Sequence, residues 1–194
     1  MDTPGKEEAA RQEFPAEGLE LNVVSGSRYI GAYLGPQEEF AAWVKPQVEA
    51  WAHEVRVLGK IAQQHPQTAC FSLGMLLQLE WKYLQSTDPI VGTLMCPIEE
   101  ALREKFFPAI FGGEEINTDF LKILGHSVKH GSLNIQDLRI SEESAYNTSK
   151  ADSGKLVDSL LGGTALNYVC HKACVRRAIA GARRKKAVGD GGAG

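Results

Sequence analysis

The sequence has no pair of adjacent aspartates. Asp2, Asp88, Asp119, Asp137, Asp152, Asp158 and Asp190 are scattered along it. Two-metal polymerase or nuclease chemistry needs clustered carboxylates to hold ions about 3.5–4 Å apart. The scatter therefore argues against an intrinsic activity of that kind. A Gly-x-Ser-x-Gly elbow is missing, and no Ser/His/Asp set takes its place. Gly31-x-x-x-Gly35 is not followed by Lys-Ser/Thr, so there is no phosphate-binding loop. No catalytic constellation, metal site or cofactor is expected.

Cysteine is scarce. Cys70, Cys96, Cys170 and Cys174 are too dispersed for a disulfide framework, and Cys70 and Cys96 fall on apolar helical faces, where free cysteine acts as a small hydrophobe. Long apolar runs are absent, and the first twenty residues are charged, so neither a membrane span nor a signal peptide is expected. These absences predict a reducing compartment, cytoplasm or nucleus. Asn147-Thr148-Ser149 matches a glycosylation acceptor, which means nothing without secretion. No internal repeat shows at a fixed period.

What is present is helical periodicity. Its centre is Gln37 to Leu84, two amphipathic segments joined at His65-Pro66. The first carries Val44, Val48, Trp51, Val55, Leu58 and Ala62 in steps of four and three, a seam for another helix, extended by Phe40 and Trp43. Glu38, Glu39, Lys45, Gln47, Glu49, Glu54, Arg56 and Lys60 form the solvated face. Pro36 suits the first turn, and the interior Pro46 predicts a break or kink near Val44-Lys45. The second segment carries Ala69, Leu73, Leu76, Leu77, Trp81 and Leu84 inward and Gln78, Glu80, Lys82 and Gln85 outward. The short connection makes the two antiparallel neighbours. The tryptophans read as core rather than as base-stacking platforms.

The 194 residues fit one domain of ordinary size, with a hydrophobic share, 43%, that suffices for a core. The predicted class is mainly α: a helical bundle led by a short N-terminal β-hairpin, with a disordered acidic N-terminus and a basic, Gly-rich C-terminus. Residues 1–18 read as disordered. Over 19–36, Leu19 to Val24 and Arg28 to Gly35 form two strands around Ser25-Gly26-Ser27. The bundle occupies 37–125. Its third helix, Thr93 to Phe111, aligns Leu94, Ile98, Leu102, Phe106 and Ile110 and stops at Gly112-Gly113; a short helix capped by Thr118 follows. Residues 126–188 are a loop plus C-terminal helices: one from Ser141 toward Lys150 that continues over Asp152 to Leu161, and one from Leu166 to Lys186. Residues 189–194 are a floppy tail.

Net charge is −3, unevenly spread. Asp2, Glu7, Glu8, Glu13, Glu17 and Glu20 make the start acidic, and Lys172, Arg176, Arg177, Arg183, Arg184, Lys185 and Lys186 make the end basic. The basic end suits a polyanion, and equally a solvated helix that complements its own dipole. Cys170-His171-x-x-Cys174 has metal-like spacing, but zinc needs four ligands and no second pair lies near, so a structural helix is the default. His126 and His130 flank Lys129 in a glycine loop, as a base, a phosphate contact or surface histidines.

In order, these segments resemble the region after the catalytic palm in retrotransposon (non-LTR-like) reverse transcriptases. Ser25-Gly26-Ser27-Arg28-Tyr29-Ile30-Gly31-Ala32-Tyr33-Leu34-Gly35 is similar to the strand pair that forms the primer grip. Trp43-Val44 through Trp51, Val55 and Leu58 is similar to the helix after it. Pro66-Gln67-Thr68-Ala69 with Gln78-Leu79-Glu80-Trp81, and Ile98 to Arg103 through Phe107-Pro108-Ala109, resemble the next two. Val128-Lys129-His130-Gly131-Ser132-Leu133-Asn134-Ile135 looks like the family's P-x-K-x-G-G-L-G-I loop, with Ser127 near the usual proline, Ser132 for the second glycine and Asn134 for the third. The resemblance covers Leu21 to Lys186.

The resemblance implies a thumb and connection that grips an RNA/DNA primer–template duplex by shape and phosphates, beside a palm supplied elsewhere. It implies backbone contacts by Arg28, Lys129, Arg183, Arg184, Lys185 and Lys186, with Tyr29 on a sugar or base. Palm and paired aspartates are absent, which points to a truncated element copy or a gene model that begins too late. The competing class is a helical protein-interaction module with no nucleic-acid role, its partner helix lying on the Val44/Trp51/Leu58 seam.

Overall fold

The computed structural model describes residues 24–114, 116–135 and 137–190, with Gly5, Glu8 and Ala9. The expected disordered segment 1–18, the strand over Leu19 to Val24 and the last residues of the tail lie largely or wholly outside the described residues. The side chains of residues 130, 139–143 and 182–190 lie outside them too. The chain is mainly α, a helical bundle led by a two-stranded antiparallel hairpin. Its contacts divide it into two compact units, Met1–Trp43 and Val44–Gly194.

In the first unit, β1 (Ser27–Tyr29) pairs with β2 (Ala32–Leu34), with Arg28 opposite Tyr33. The turn is Ile30-Gly31, not Ser25-Gly26-Ser27. Ile30 has φ 48° and Gly31 has φ 79°. Positive φ at both central residues fits the tight turn whose twist matches its strands. A β-branched residue resists that conformation, so the sequence hides the turn. Gly26 serves packing instead: a Cβ there would overlap the Tyr33 hydroxyl. Tyr33 stacks on Trp43 with ring centroids 5.8 Å apart, and Phe40 closes the cluster.

Helix α1 (Gln37–Ala62) opens with Glu38 and Glu39 in its first turn, where acids complement the dipole. It runs unbroken through Pro46, in contrast to the expected break. Burial of Val44, Val48, Trp51 and Val55 along one face holds the helix across the lost hydrogen bond. That seam is thus internal to the fold and not open to a partner.

Residues 66–85 form one helical stretch with a π turn inside it: α2 (Pro66–Ser72), the π turn (Leu73–Leu77) and α3 (Gln78–Gln85). The spacing explains the turn. Ala69, Leu73, Leu77 and Trp81 are buried at steps of four. In an α-helix of 3.6 residues per turn each such step drifts by about 40°. A π turn absorbs an extra residue and returns the row to one face. The same rotation corrects three expectations. Leu76 faces outward, while Gln78 and Gln85 are buried. Gln85 Nε2 donates to the main-chain oxygen of Leu138 at 2.9 Å, which offsets its desolvation. Trp51 Nε1 donates to Glu80 at 2.7 Å and ties α1 to α3.

The step-of-four row Ile98, Leu102, Phe106 behaves likewise. The expected third helix is α4 (Val91–Leu94), then α5 (Cys96–Ala101), a π turn (Leu102–Phe106) and α6 (Phe107–Ile110). Pro97 stands at the start of α5, where its missing N–H costs nothing. Helix α7 (Thr118–Leu124) is capped by Asn117, whose side chain accepts from the Phe120 N–H at 2.8 Å, so Thr118 is not the cap.

The helix expected from Ser141 to Leu161 is α8 (Leu138–Leu161), which starts three residues before Ser141. Gly162-Gly163 ends it, with Gly163 at φ 58°. Helix α9 (Tyr168–Asp190) starts two residues later than expected and includes Gly189 and Asp190 of the supposed tail. α8 packs on α3 and α4, and α9 packs on α8. Among the described residues no helix is long and apolar enough to cross a membrane.

Candidate anion-binding groove

His53, Arg56 and Lys60 recur at steps of three and four, so they share one stripe of α1, and Gln63 follows in the turn just past its end. Val57 and Gly59 lie between them. Gly59 lets the second π turn approach closely: a Cβ there would lie 2.9 Å from the Lys105 main-chain oxygen. That approach brings Lys105 beside the stripe. The result is a half-open groove of about 250 Å³ lined by His53, Arg56, Val57, Gly59, Lys60, Gln63 and Lys105.

No carboxylate lines this groove. Among the described residues Arg56, Lys60 and Lys105 have no ion-pair partner. Residues bearing three unpaired cations, an imidazole and an amide thus border one concave surface, its lining mostly apolar, in a chain whose net charge is negative. Guanidinium and ammonium groups without internal partners suit phosphate oxygens, the Arg as a fork and the Lys as point charges.

A second cavity, of about 160 Å³, has an apolar lining that includes Leu102, Phe107 and Leu121. Glu99 and Asp137 outnumber Arg103 there, so it does not favour an anion.

The residues expected to touch nucleic acid fall on several elements. Arg28 and Tyr29 are exposed neighbours on β1, pointing to opposite faces of the hairpin, in the first compact unit. Lys129 is exposed on a 3₁₀ turn (Val128–His130) in the second. Arg183, Arg184, Lys185 and Lys186 follow the backbone of α9, but their side chains lie outside the described ones. Among the described side chains of these residues, none lines the groove.

The other candidates resolve into local roles. His171 Nε2 lies 3.3 Å from Asp152 Oδ1, which joins α9 to α8. Cys174 is half-buried and Cys170 exposed. No group of three metal-ligating side chains occurs among the described residues. His126 is exposed, and burial pushes the Cys70 thiol above its ordinary range, away from reactivity.

The groove was half legible. The 53/56/60 stripe is visible at helical spacing, yet it reads as an ordinary solvated face. Lys105 joins it only through the contact at Gly59, which no local pattern announces. No family model, curated protein or solved structure matches the chain.

Proposed function

We propose that this chain grips a nucleic-acid duplex by its phosphate backbone and performs no catalysis of its own. The observation that carries the reading is the groove of Arg56, Lys60 and Lys105, open to solvent and free of carboxylates. The order of hairpin and helices resembles the primer grip, thumb and connection of a retrotransposon reverse transcriptase. On that reading the partners are an RNA/DNA primer–template duplex and a palm domain supplied elsewhere, in the cytoplasm or nucleus. Arg28, Tyr29, Lys129 and the Arg183–Lys186 cluster add contacts outside the groove.

Fluorescence anisotropy with a labelled RNA/DNA hybrid, across a salt series, tests this. Arg56→Ala with Lys60→Ala and Lys105→Ala should weaken binding and flatten the salt dependence by about one unit of log–log slope per phosphate-contacting cation removed. An unchanged affinity and slope would sink the groove. Replacing Arg183, Arg184, Lys185 and Lys186 by Ala tests the C-terminal cluster separately.

A second reading, a helical protein-interaction module without a nucleic-acid role, is favoured by one observation. Phe71, Met75, Leu76, Leu79 and Tyr83 are exposed together on the 66–85 helical stretch. A wild-type chain that ignores the hybrid at low salt but binds protein through this face would replace the first reading.

A further inference from the structure

The exposed side of the 66–85 stretch does not look like a solvated surface. Phe71, Met75, Leu76, Leu79 and Tyr83 each leave between 47% and 66% of their surface in water. The first π turn aligns them. Phe71, Met75, Leu79 and Tyr83 recur at steps of four, which would spiral around a pure α-helix. The extra residue absorbed over Leu73–Leu77 keeps them nearer one line, as it does for the buried row opposite. Charge is nearly absent. Glu80 and Lys82 are the only Asp, Glu, Lys or Arg residues in the stretch, and Glu80 is engaged by Trp51. Aromatic residues and Met enriched, with charge depleted, is the composition of an interface core.

The order of the stripe is close to palindromic. Reading from either end gives an aromatic ring, a flexible aliphatic side chain, and Leu76 near the midpoint. Turned antiparallel about that midpoint, Phe71 of one copy meets Tyr83 of the other, and Met75 meets Leu79. A two-fold interface requires a surface that is complementary to itself, and this pattern supplies one. The size fits as well. Five side chains this exposed present roughly 500 Å² per copy, and two copies bury about 1,000 Å², the lower bound for a specific interface. From the self-complementary row and its area, the geometry points to a second copy of this chain as the occupant, in an antiparallel two-fold dimer. The proposal is independent of the nucleic-acid reading, since no residue of the stripe lines the groove.

Analytical ultracentrifugation of the full chain over a dilution series tests it. The expected result is a species of twice the 21.1 kDa chain mass that dissociates on dilution. Met75→Glu or Leu79→Glu should leave only monomer with an unchanged far-UV circular dichroism spectrum. If either loses helical signal, Met75→Gln or Leu79→Gln decides in its place, with a weakened dimer expected. Phe71→Glu and Tyr83→Lys should each break the dimer alone and restore it together, because the two positions face one another only in the antiparallel register. A monomer at every concentration overturns the proposal, including one that binds an added apolar helical peptide. A dimer that survives the Glu variants overturns it too, and failed restoration by the charge pair overturns the antiparallel arrangement.

Discussion

The main-chain oxygen of Lys105 stands 2.9 Å from the point where a side chain on Gly59 would begin. An alanine there meets backbone, which cannot swing aside as a flexible side chain does. The substitution gains roughly 1 kcal/mol in helix propensity. It costs about 1–3 kcal/mol in overlap. The net expectation for Gly59→Ala is a destabilisation of up to about 2 kcal/mol, with the π turn pushed off α1. Chemical denaturation gives the first quantity. Hybrid binding gives the second, because displaced Lys105 leaves the groove, and affinity should fall toward the value that Lys105→Ala gives. A more stable variant with unchanged binding would mean that the contact at Gly59 does not position Lys105.

A pH dependence follows from the first compact unit. The Tyr33 hydroxyl donates to Glu39 Oε2 at 2.6 Å, and the Ser25 hydroxyl donates to its other oxygen at 2.8 Å. These two bonds, the first the larger, hold the Glu39 carboxyl below its ordinary 4.5, against a smaller opposing effect of burial. The same bond, then burial and the nearby charge, push the Tyr33 phenol above its ordinary 10.0. A depressed carboxyl contributes stability above 4.5 that is lost as pH falls through its folded value. A raised phenol contributes stability below 10.0 that is lost as pH rises through its folded value. The hairpin should therefore be firmest between those limits. Near-UV circular dichroism of the Tyr33–Trp43 stack should show an acid and an alkaline limb. Glu39→Gln should flatten the acid limb, and Tyr33→Phe both; an acid limb untouched by Glu39→Gln would assign it to another group.

The class of the fold was legible because apolar spacing is local. The four-and-three steps from Val44 to Val55 specify a buried face, and the structure buries it. The step-of-four rows were equally visible, but a row of fours fits an α-helix with drift as readily as a helix with a π turn. Reading them as α put Leu76 inside and Gln78 and Gln85 outside, the reverse of what the π turn imposes. The hairpin was found and its turn misplaced, since Ser25-Gly26-Ser27 has ordinary turn chemistry while Ile30 adopts a backbone that isoleucine disfavours. The Lys105 side of the groove and the exposed apolar stripe both escaped, because each depends on a rotation or a close approach that only tertiary structure supplies.

Asn134 sits at φ 55° and Gly131 at φ 78°, whereas Ser132 is not among the positive-φ residues. Asn134 therefore needs left-handed backbone, and Ser132 does not. Asparagine tolerates it better than other non-glycine residues, at some cost. Asn134→Gly should be neutral or stabilise the chain by up to about 1 kcal/mol, and Asn134→Val should cost more than about 1 kcal/mol. Ser132→Gly should gain nothing, because it removes the hydroxyl that donates to the Ile123 oxygen at 2.5 Å. Thermal melts of the three variants rank them, and a Val variant as stable as wild type would contradict the left-handed assignment.

Deletion of Leu76 tests the account of the first π turn most directly. The buried positions 69, 73, 77 and 81 are four apart, and Leu76 is an exposed member of the π turn between the second and third of them. Removing it shortens that step to three, so the row reads four, three, four, which an ordinary α-helix carries on one face. The turn should revert to α, while Leu73, Leu77 and Trp81 stay inside. The variant should fold, with a loss below about 2 kcal/mol, whereas Leu73→Ala, which empties a fully buried site, should cost about 2–5 kcal/mol. A second deletion makes the contrast sharper. Val57 lies where the α1 row already follows four-and-three spacing, and its loss should turn Leu58 and Ala62 away from the core and prevent folding. If the Leu76 deletion unfolds the chain as the Val57 deletion does, the π turn is not an absorbed extra residue, and the alignment of Phe71, Met75, Leu79 and Tyr83 needs another cause.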